Sequence, residues 1–382
     1  MKKYDLVICG GGIAGCSAAI AAARRGKKCA LIEKTVFPGG LATTGIVLVY
    51  LPLCDGKGKQ VIYGLGEELL LLSNKYGPVD VDPKWKDAKG RYQVHFSPAS
   101  FVLALDELLT DSGVDVWYDT MVIGTSVEED RVRKITVANK SGIVDISGEI
   151  FIDSTGDCDL VAQAGGECMT ATNAMVTWVI EHREAEKSSI FTFGQNNSTL
   201  IMSFPITNSD TPPGIDGKIV TDFLLEGRRR YRNRLIEDYQ SGKENRKTRY
   251  PLVLPSMVPL RHTRCAKGKF VLNDKMHEQD FSDSVGLIPE WRGVGPSWAV
   301  PYRTLLPEKL RGILTAGRCI SSINDAWEVT RVIPSAALTG EVAGIAAALS
   351  LDQNLLPDEL PYQSLAEELK KEGFLLSFKD LA

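Results

Sequence analysis

The sequence predicts an α/β fold: a Rossmann-type domain assembled from both ends of the chain, interrupted by a second, mixed α/β or β-rich domain. Three observations predict it. The chain opens on a strand, a glycine-rich turn, an alanine-rich helix and a second strand. It closes on a short strand followed by a long apolar helix. Between them, from Gly165 to Val300, the texture changes to long polar stretches, prolines and tryptophans.

In chain order, Tyr4 to Cys9 reads as a buried strand, Ile13 to Arg25 as a helix and Lys28 to Glu33 as a second buried strand, together a βαβ opening. Residues 46–96 are too long for a loop and are expected as an insertion. Ser97 can cap the next helix, Pro98 suits its first position, and Phe101, Val102, Leu105, Leu108 and Leu109 give it an apolar face. Val114 to Tyr118 follows as a strand. Val122 to Val127, Arg131 to Ala138 and Ile143 to Ile146 alternate as a small antiparallel meander, and Phe151 to Ser154 reads as a further buried strand. Gly312 to Ala316 is expected as a strand, Pro334 to Ser350 as an apolar helix and Leu360 to Phe374 as an amphipathic one. The predicted boundaries are 1–164 with 301–353 for the first domain, 165–300 for the second and 354–382 for a helical tail.

Composition narrows the class. The chain has 382 residues, 44 % hydrophobic and 24 % charged, with a formal net charge of −4. That balance argues against a general polyanion binder. The eight cysteines show neither a CxxC pair nor zinc spacing, so no metal site and no disulfide-reductase chemistry are expected, and a reducing, cytoplasmic location is. Lys2, Lys3 and the apolar run after them mimic a signal peptide, but Asp5 and the glycines fit a strand, turn and helix better. No apolar run is read as long enough to span a membrane.

The turn Gly10-Gly11-Gly12-Ile13-Ala14-Gly15 is a GxGxxG in its proper context. Gly10 permits the tight turn, Gly12 lets the backbone approach a pyrophosphate, and Gly15 lets helix and strand pack closely. The helix start supplies free N–H groups and a favourable dipole. Glu33 ends the second strand, where its carboxylate can accept from ribose hydroxyls and would repel a 2′-phosphate, which argues against NADP. FAD and NAD share this fingerprint.

Resemblance separates them. Phe37-Pro38-Gly39-Gly40-Leu41-Ala42-Thr43-Thr44-Gly45, directly after Glu33-Lys34, resembles the segment leading toward the flavin in FAD-dependent oxidoreductases of the glutathione-reductase-like superfamily. Phe151 to Asp157 resembles their second FAD motif. Leu314 to Ser322, with Arg331-Val332-Ile333-Pro334 and Thr339 to Gly344, resembles the closing motif of the broad FAD-dependent oxidoreductase group, distantly related to fumarate-reductase-type flavoproteins. Pro259 to Arg264 and Pro301 to Pro307 also match, whereas residues 171–249 match no named pattern. The resemblance implies an FAD-binding Rossmann-type domain with an inserted substrate domain. It implies FAD contacts at Gly10, Gly12, Ile13, Ala14, Gly15, Glu33, Lys34, Gly40, Leu41, Ala42, Thr43, Val122, Thr155, Gly156, Asp157, Gly317, Arg318, Ile333 and Ser335. The helix opening at Pro334 would set its positive end near flavin N1 and O2.

The implied activity is hydride transfer between flavin N5 and a small polar organic substrate. With no second GxGxxG in strand context, reducing equivalents are expected to come from the substrate or to pass to a redox protein partner. Arg261, Arg264, Arg303 and Arg331 sit in matching segments and are the candidates to hold an anionic group. His262, between two of them, is the candidate base. Trp327 and Glu328 are read first as core packing and an ion-pair partner. Residues 226–249 hold nine Lys or Arg against four acids. Phe223, Leu224, Tyr231, Leu235 and Tyr239 interleave at helical spacing, so the expectation is one solvated basic helix face rather than nucleic-acid binding. An electron-transfer subunit and a transfer-RNA-modifying flavoenzyme are the alternatives.

Overall fold

The computed structural model describes residues 2–77, 79–87, 92–172, 175–184, 192–193, 198–206 and 214–381. Its centre is a seven-stranded sheet. Strand β1 (Lys2–Cys9) pairs in parallel with β2 (Cys29–Ile32), and β2 with β3 (Asp115–Trp117). Strands β4 (Met121–Glu128), β5 (Arg131–Asn139) and β6 (Gly142–Asp153) form an antiparallel meander, and β6 also runs in parallel beside β1. The last strand, β7 (Ile313–Thr315), joins β6 in parallel. Leu6 to Cys9 are wholly buried, as a strand covered on both faces requires.

The expected break between the meander and Phe151 does not exist. β6 is one strand of 12 residues. Its first half pairs with β5 and its second half with β7, and β1 runs beside it from Ile146 to Asp153. Gly148 lies where they meet, and a Cβ there would come 2.8 Å from Val7 Cγ2. The glycine marks a close approach of neighbouring strands and not a turn.

The first helix (Ile13–Ala23) and the helix Ile333–Asp352 pack directly on each other and bring the two ends of the chain together. Small residues make this possible. A Cβ on Gly340 would sit 2.1 Å from the Ala14 carbonyl oxygen, and one on Gly344 2.3 Å from that of Ala18. The later helix corrects the reading of apolar runs. With 20 residues and a mean hydropathy of 1.3 it is long and apolar enough to cross a membrane, but it is almost wholly buried inside the fold, as a helix apolar on every side must be. Ser97 caps the helix Pro98–Asp111 by accepting from Ser100 N.

The segment 46–96 carries the helix Leu65–Leu72 and a short strand pair, Val49–Tyr50 with Val94–His95. Its Leu48, Tyr50, Leu53 and Leu69 join the main core. Glu341, from the long core helix, accepts from Leu65 N at 2.7 Å and so caps the inserted helix.

A second sheet runs in the order Thr192–Phe193, Ser198–Ile206, Met175–Arg183, Arg249–Val253. The helix Gly217–Gln240 covers it, burying Tyr231 and Leu235 against Val179. From the segment 165–300, Val285, Ile288, Trp298 and Val300 belong to the main core, as do Trp178 and Ile180 of the second sheet. The C-terminal helix Tyr362–Lys371 buries Leu365 and Leu369 in that same core.

Candidate functional site

The parallel strands end at one edge, where an α/β sheet of this kind binds ligands. An open groove of about 990 Å³ runs there. Its floor is the glycine turn between β1 and the first helix. Gly15 lies beneath it, because a Cβ at that position would meet the Gly10 carbonyl oxygen at 1.9 Å. Gly12 is the opposite case. Its backbone is ordinary and extended, and a Cβ there would meet nothing within 4 Å. That empty space belongs to the groove and not to the protein core, so the turn forms a cradle that a side chain would fill.

Glu33 closes one end. Its Oε2 accepts from Gly11 N and its Oε1 from Thr35 N, both at 2.7 Å. Each oxygen keeps a further lone pair for a ribose hydroxyl. Lys34, Thr120, Met121 and Val122 line the groove beside it. Along the middle, Gly39 N donates to Gly11 O at 2.7 Å and locks the loop 37–45 onto the turn. Gly40, Leu41 and Ala42 then face the groove, while Thr43 is buried and holds the loop by donating to Pro38 O at 2.6 Å.

The second motif forms the opposite wall through Thr155 and Gly156. Asp157 sits behind it, accepting from Arg318 at 2.7 Å and from Thr263 Oγ1 at 2.9 Å. The Arg318 guanidinium also donates to the carbonyls of Gly156 and Leu260, so one side chain ties three segments together. Gly317 and Ile333 line the groove, and Ser335 lies in the first turn of the core helix with its buried hydroxyl lacking a partner among the described residues.

Beyond Ile333 lies a cluster of charged side chains. Glu328 is shared: its Oε1 is 3.0 Å from His262 Nε2, and its other oxygen accepts from the Arg331 guanidinium. Burial alone would raise the Glu328 carboxyl, but the His262 contact and the Arg331 charge override it and hold the group at about 2. Burial pushes Arg331 down to about 10, with the Glu328 charge opposing and Arg261 nearby adding to the fall. Trp327 packs beside His262, ring centroids 4.9 Å apart, and donates to the Arg318 carbonyl at 3.1 Å.

Of these candidates Arg331 lines the groove, His262 is joined to it through Glu328, and Arg261 lies near enough to act on its charge. The structure does not bring the other two arginine candidates there. Arg264 binds the Asp157 carbonyl at 2.8 Å and Asp159 at 2.6 Å as a brace of the second motif. Arg303 lies on the surface, paired with Asp283 at 2.9 Å and stacked over Phe270. Glu328 was read as an ion-pair partner and is one, but to two site candidates at once. Sequence reasoning missed Met257, which lines the groove from a distant segment. That segment is pinned by Ser256 N donating to Thr44 O at 2.9 Å, a contact with no sequence pattern. Thr120 and Met121, next to Val122, could have been found by extending that residue's strand.

Comparison with known proteins completes the assignment. The family profile described as FAD dependent oxidoreductase matches residues 5–177 and 179–369. A curated relative, the tRNA uridine 5-carboxymethylaminomethyl modification enzyme of Chlorobaculum tepidum, is 23 % identical over 231 residues. That match spans 57 % of this chain and only 33 % of the relative. A geranylgeranyl bacteriochlorophyll reductase-like protein from Thermoplasma acidophilum is similar in fold over 98 % of this chain and 84 % of its own, with a TM-score of 0.50 at 17 % identity. A myxobacterial FAD-dependent chondrochloren halogenase covers 97 % of this chain and 78 % of its own, with a TM-score of 0.47 at 14 % identity. The Gly12 cradle, the Glu33 carboxylate and the partnerless Ser335 hydroxyl are a donor and acceptor set that an extended flavin dinucleotide fits. The profile covers nearly the whole length, and on that ground the chain belongs to the FAD dependent oxidoreductase family: it is an oxidoreductase whose cofactor is FAD.

Proposed function

We propose that the enzyme oxidises or reduces a carbon of a small polar organic substrate by hydride exchange at N5 of its bound flavin. The observation that carries this reading is the charged set His262–Glu328–Arg331 at the end of the groove where the core helix begins. The glycine turn and Glu33 anchor the nucleotide half of the cofactor. The loop 40–44 and the segment Arg331 to Ala336 flank the other half. Arg331 keeps a fixed positive charge against the substrate, and the His262 imidazole takes up or returns the proton that accompanies hydride transfer. Glu328 orients both groups.

Anaerobic spectroscopy tests this. The purified, flavin-loaded protein is mixed with a panel of metabolites without added NAD(P)H. Bleaching by one of them supports the reading, and a flavin inert to the whole panel counts against it. A second reading, a transfer-RNA-modifying flavoenzyme, is favoured by one feature. The helix Gly217–Gln240 exposes Arg228, Arg229, Arg230 and Arg232. Arg229 and Arg230 are both bound to Glu226 at 2.7 Å, however, which reduces the charge they offer to a phosphate. RNA retention that falls steeply with salt would support that reading.

A further inference from the structure

The charged end of the groove carries more donors than its own acceptors use. Arg331 is partly buried, its side chain 13 % exposed, yet its enclosed Nε has no partner among the described residues. Leaving a buried donor unmade is costly, so such a donor points to a ligand. Ser335, in the first turn of the core helix, holds a buried hydroxyl without a partner among the described residues, and that one is already counted toward the flavin. The same turn opens at Val332 with no side-chain cap, which leaves its backbone N–H groups free to donate. Arg261 and Arg318 each lie close enough to act on the Arg331 charge, which faces the Glu328 carboxylate. Holding positive charge in so dry a place is costly. An anionic ligand offsets that cost.

We propose that Arg331, held in place by Glu328, is the anchor for a carboxylate group of the substrate, so that this enzyme acts on an organic acid and not on a neutral molecule. The proposal rests on the reading of the groove as the flavin site and narrows it to one substrate class. Arg331 offers its unused Nε–H as a charge-assisted donor to a carboxylate oxygen, beside the terminal nitrogen that Glu328 already holds. Glu328 occupies the NH2 side. Its removal alone would leave the cation unbalanced, so the informative variant removes both charges together.

Malonate and malonamide are the probes. They share a carbon frame and differ in charge. Each is titrated into the flavin-loaded protein, with the visible spectrum of the flavin as the readout and thermal melting as a check on folding. Malonate is expected to perturb the spectrum saturably and malonamide not to. The double variant Arg331→Gln/Glu328→Gln should weaken malonate about tenfold or more, the loss of one charge-assisted pair. Arg331→Lys should weaken it less, because the charge stays and only the Nε donor is lost. An equal response to malonamide, or unchanged malonate binding in the double variant, would overturn the proposal. So would a fall in flavin midpoint potential with malonate binding intact, since it would assign the charge to the cofactor. A protein that takes up no flavin at all would instead refute the reading beneath it.

Discussion

The two halves of this molecule are held together by different physics. In the first, two helices from opposite ends of the chain touch backbone to backbone, and Gly340 and Gly344 are the reason. In the second, the helix Gly217–Gln240 is fastened to its sheet by buried charge. Arg249, 1 % exposed, donates to Glu181 Oε1 at 2.9 Å and pairs with Asp238, and Tyr231 donates to Glu181 Oε2 at 2.7 Å. Close packing of small residues builds a rigid frame for a dinucleotide. A buried ion network fixes one orientation of a helix on a sheet at a considerable desolvation cost.

Substitutions can break either side of this contrast. The largest effect is expected from Gly344→Leu. Its side chain has nowhere to go, and the protein should either fail to accumulate in soluble form or melt more than about 10 °C lower. A melting temperature within a few degrees of the parent would show that the two helices are not close-packed as described. Next comes Arg249→Met, which strands Asp238 and leaves Glu181 only Arg183 and Tyr231 as partners, and should cost about 3 kcal/mol in a denaturant titration. Adding Glu181→Gln should recover part of that loss. If the pair of changes is no better than the single one, the network is not what fastens the helix.

Glu341 sharpens the comparison, because it is a charge placed inside the close-packed half. Burial raises its carboxyl to about 8, against a weaker downward pull from the Leu65 N–H. A carboxyl raised on folding favours the protonated folded state. Its penalty is absent below the ordinary value near 4.5, grows as pH rises, and is fully felt above about 8. Glu341→Gln should therefore be more stable than the parent by about 4 kcal/mol at pH 8, with the gap closing toward pH 4. Melting curves across that range check it, and a gap independent of pH would contradict it. The smallest effect belongs to Ser97→Ala, which removes one N-cap bond and should cost about 0.5–1 kcal/mol.

What the sequence revealed follows the same division. The glycine turn, Glu33 and the Arg318 and Ile333 segments were legible because close approach to a pyrophosphate and helix packing both demand particular small or charged residues at set intervals. Arg249 was not. It was counted in a basic stretch as part of a solvated face, and only tertiary pairing places it in the interior. Glu328 falls between these cases. Its type was readable and its ion pair expected, but nothing in the spacing says that His262, from 66 positions earlier, would share it. Met257 left no trace, since its place in the groove depends on two backbone contacts, from Ser256 N and Met257 N to Thr44 O. The strand β6 misled for a related reason, as Gly148 looks the same whether it turns a chain or makes room for Val7.

The account as a whole stands on the cradle at Gly12, and FAD titration of the apoprotein against the Gly12→Ala variant tests it most directly. The added methyl meets no protein atom within 4 Å, so melting of the unloaded protein should not change. Affinity for FAD should fall about tenfold or more, because the methyl occupies the space of the pyrophosphate. Equal FAD affinity in the two proteins, with both folded, would contradict the placement of the cofactor.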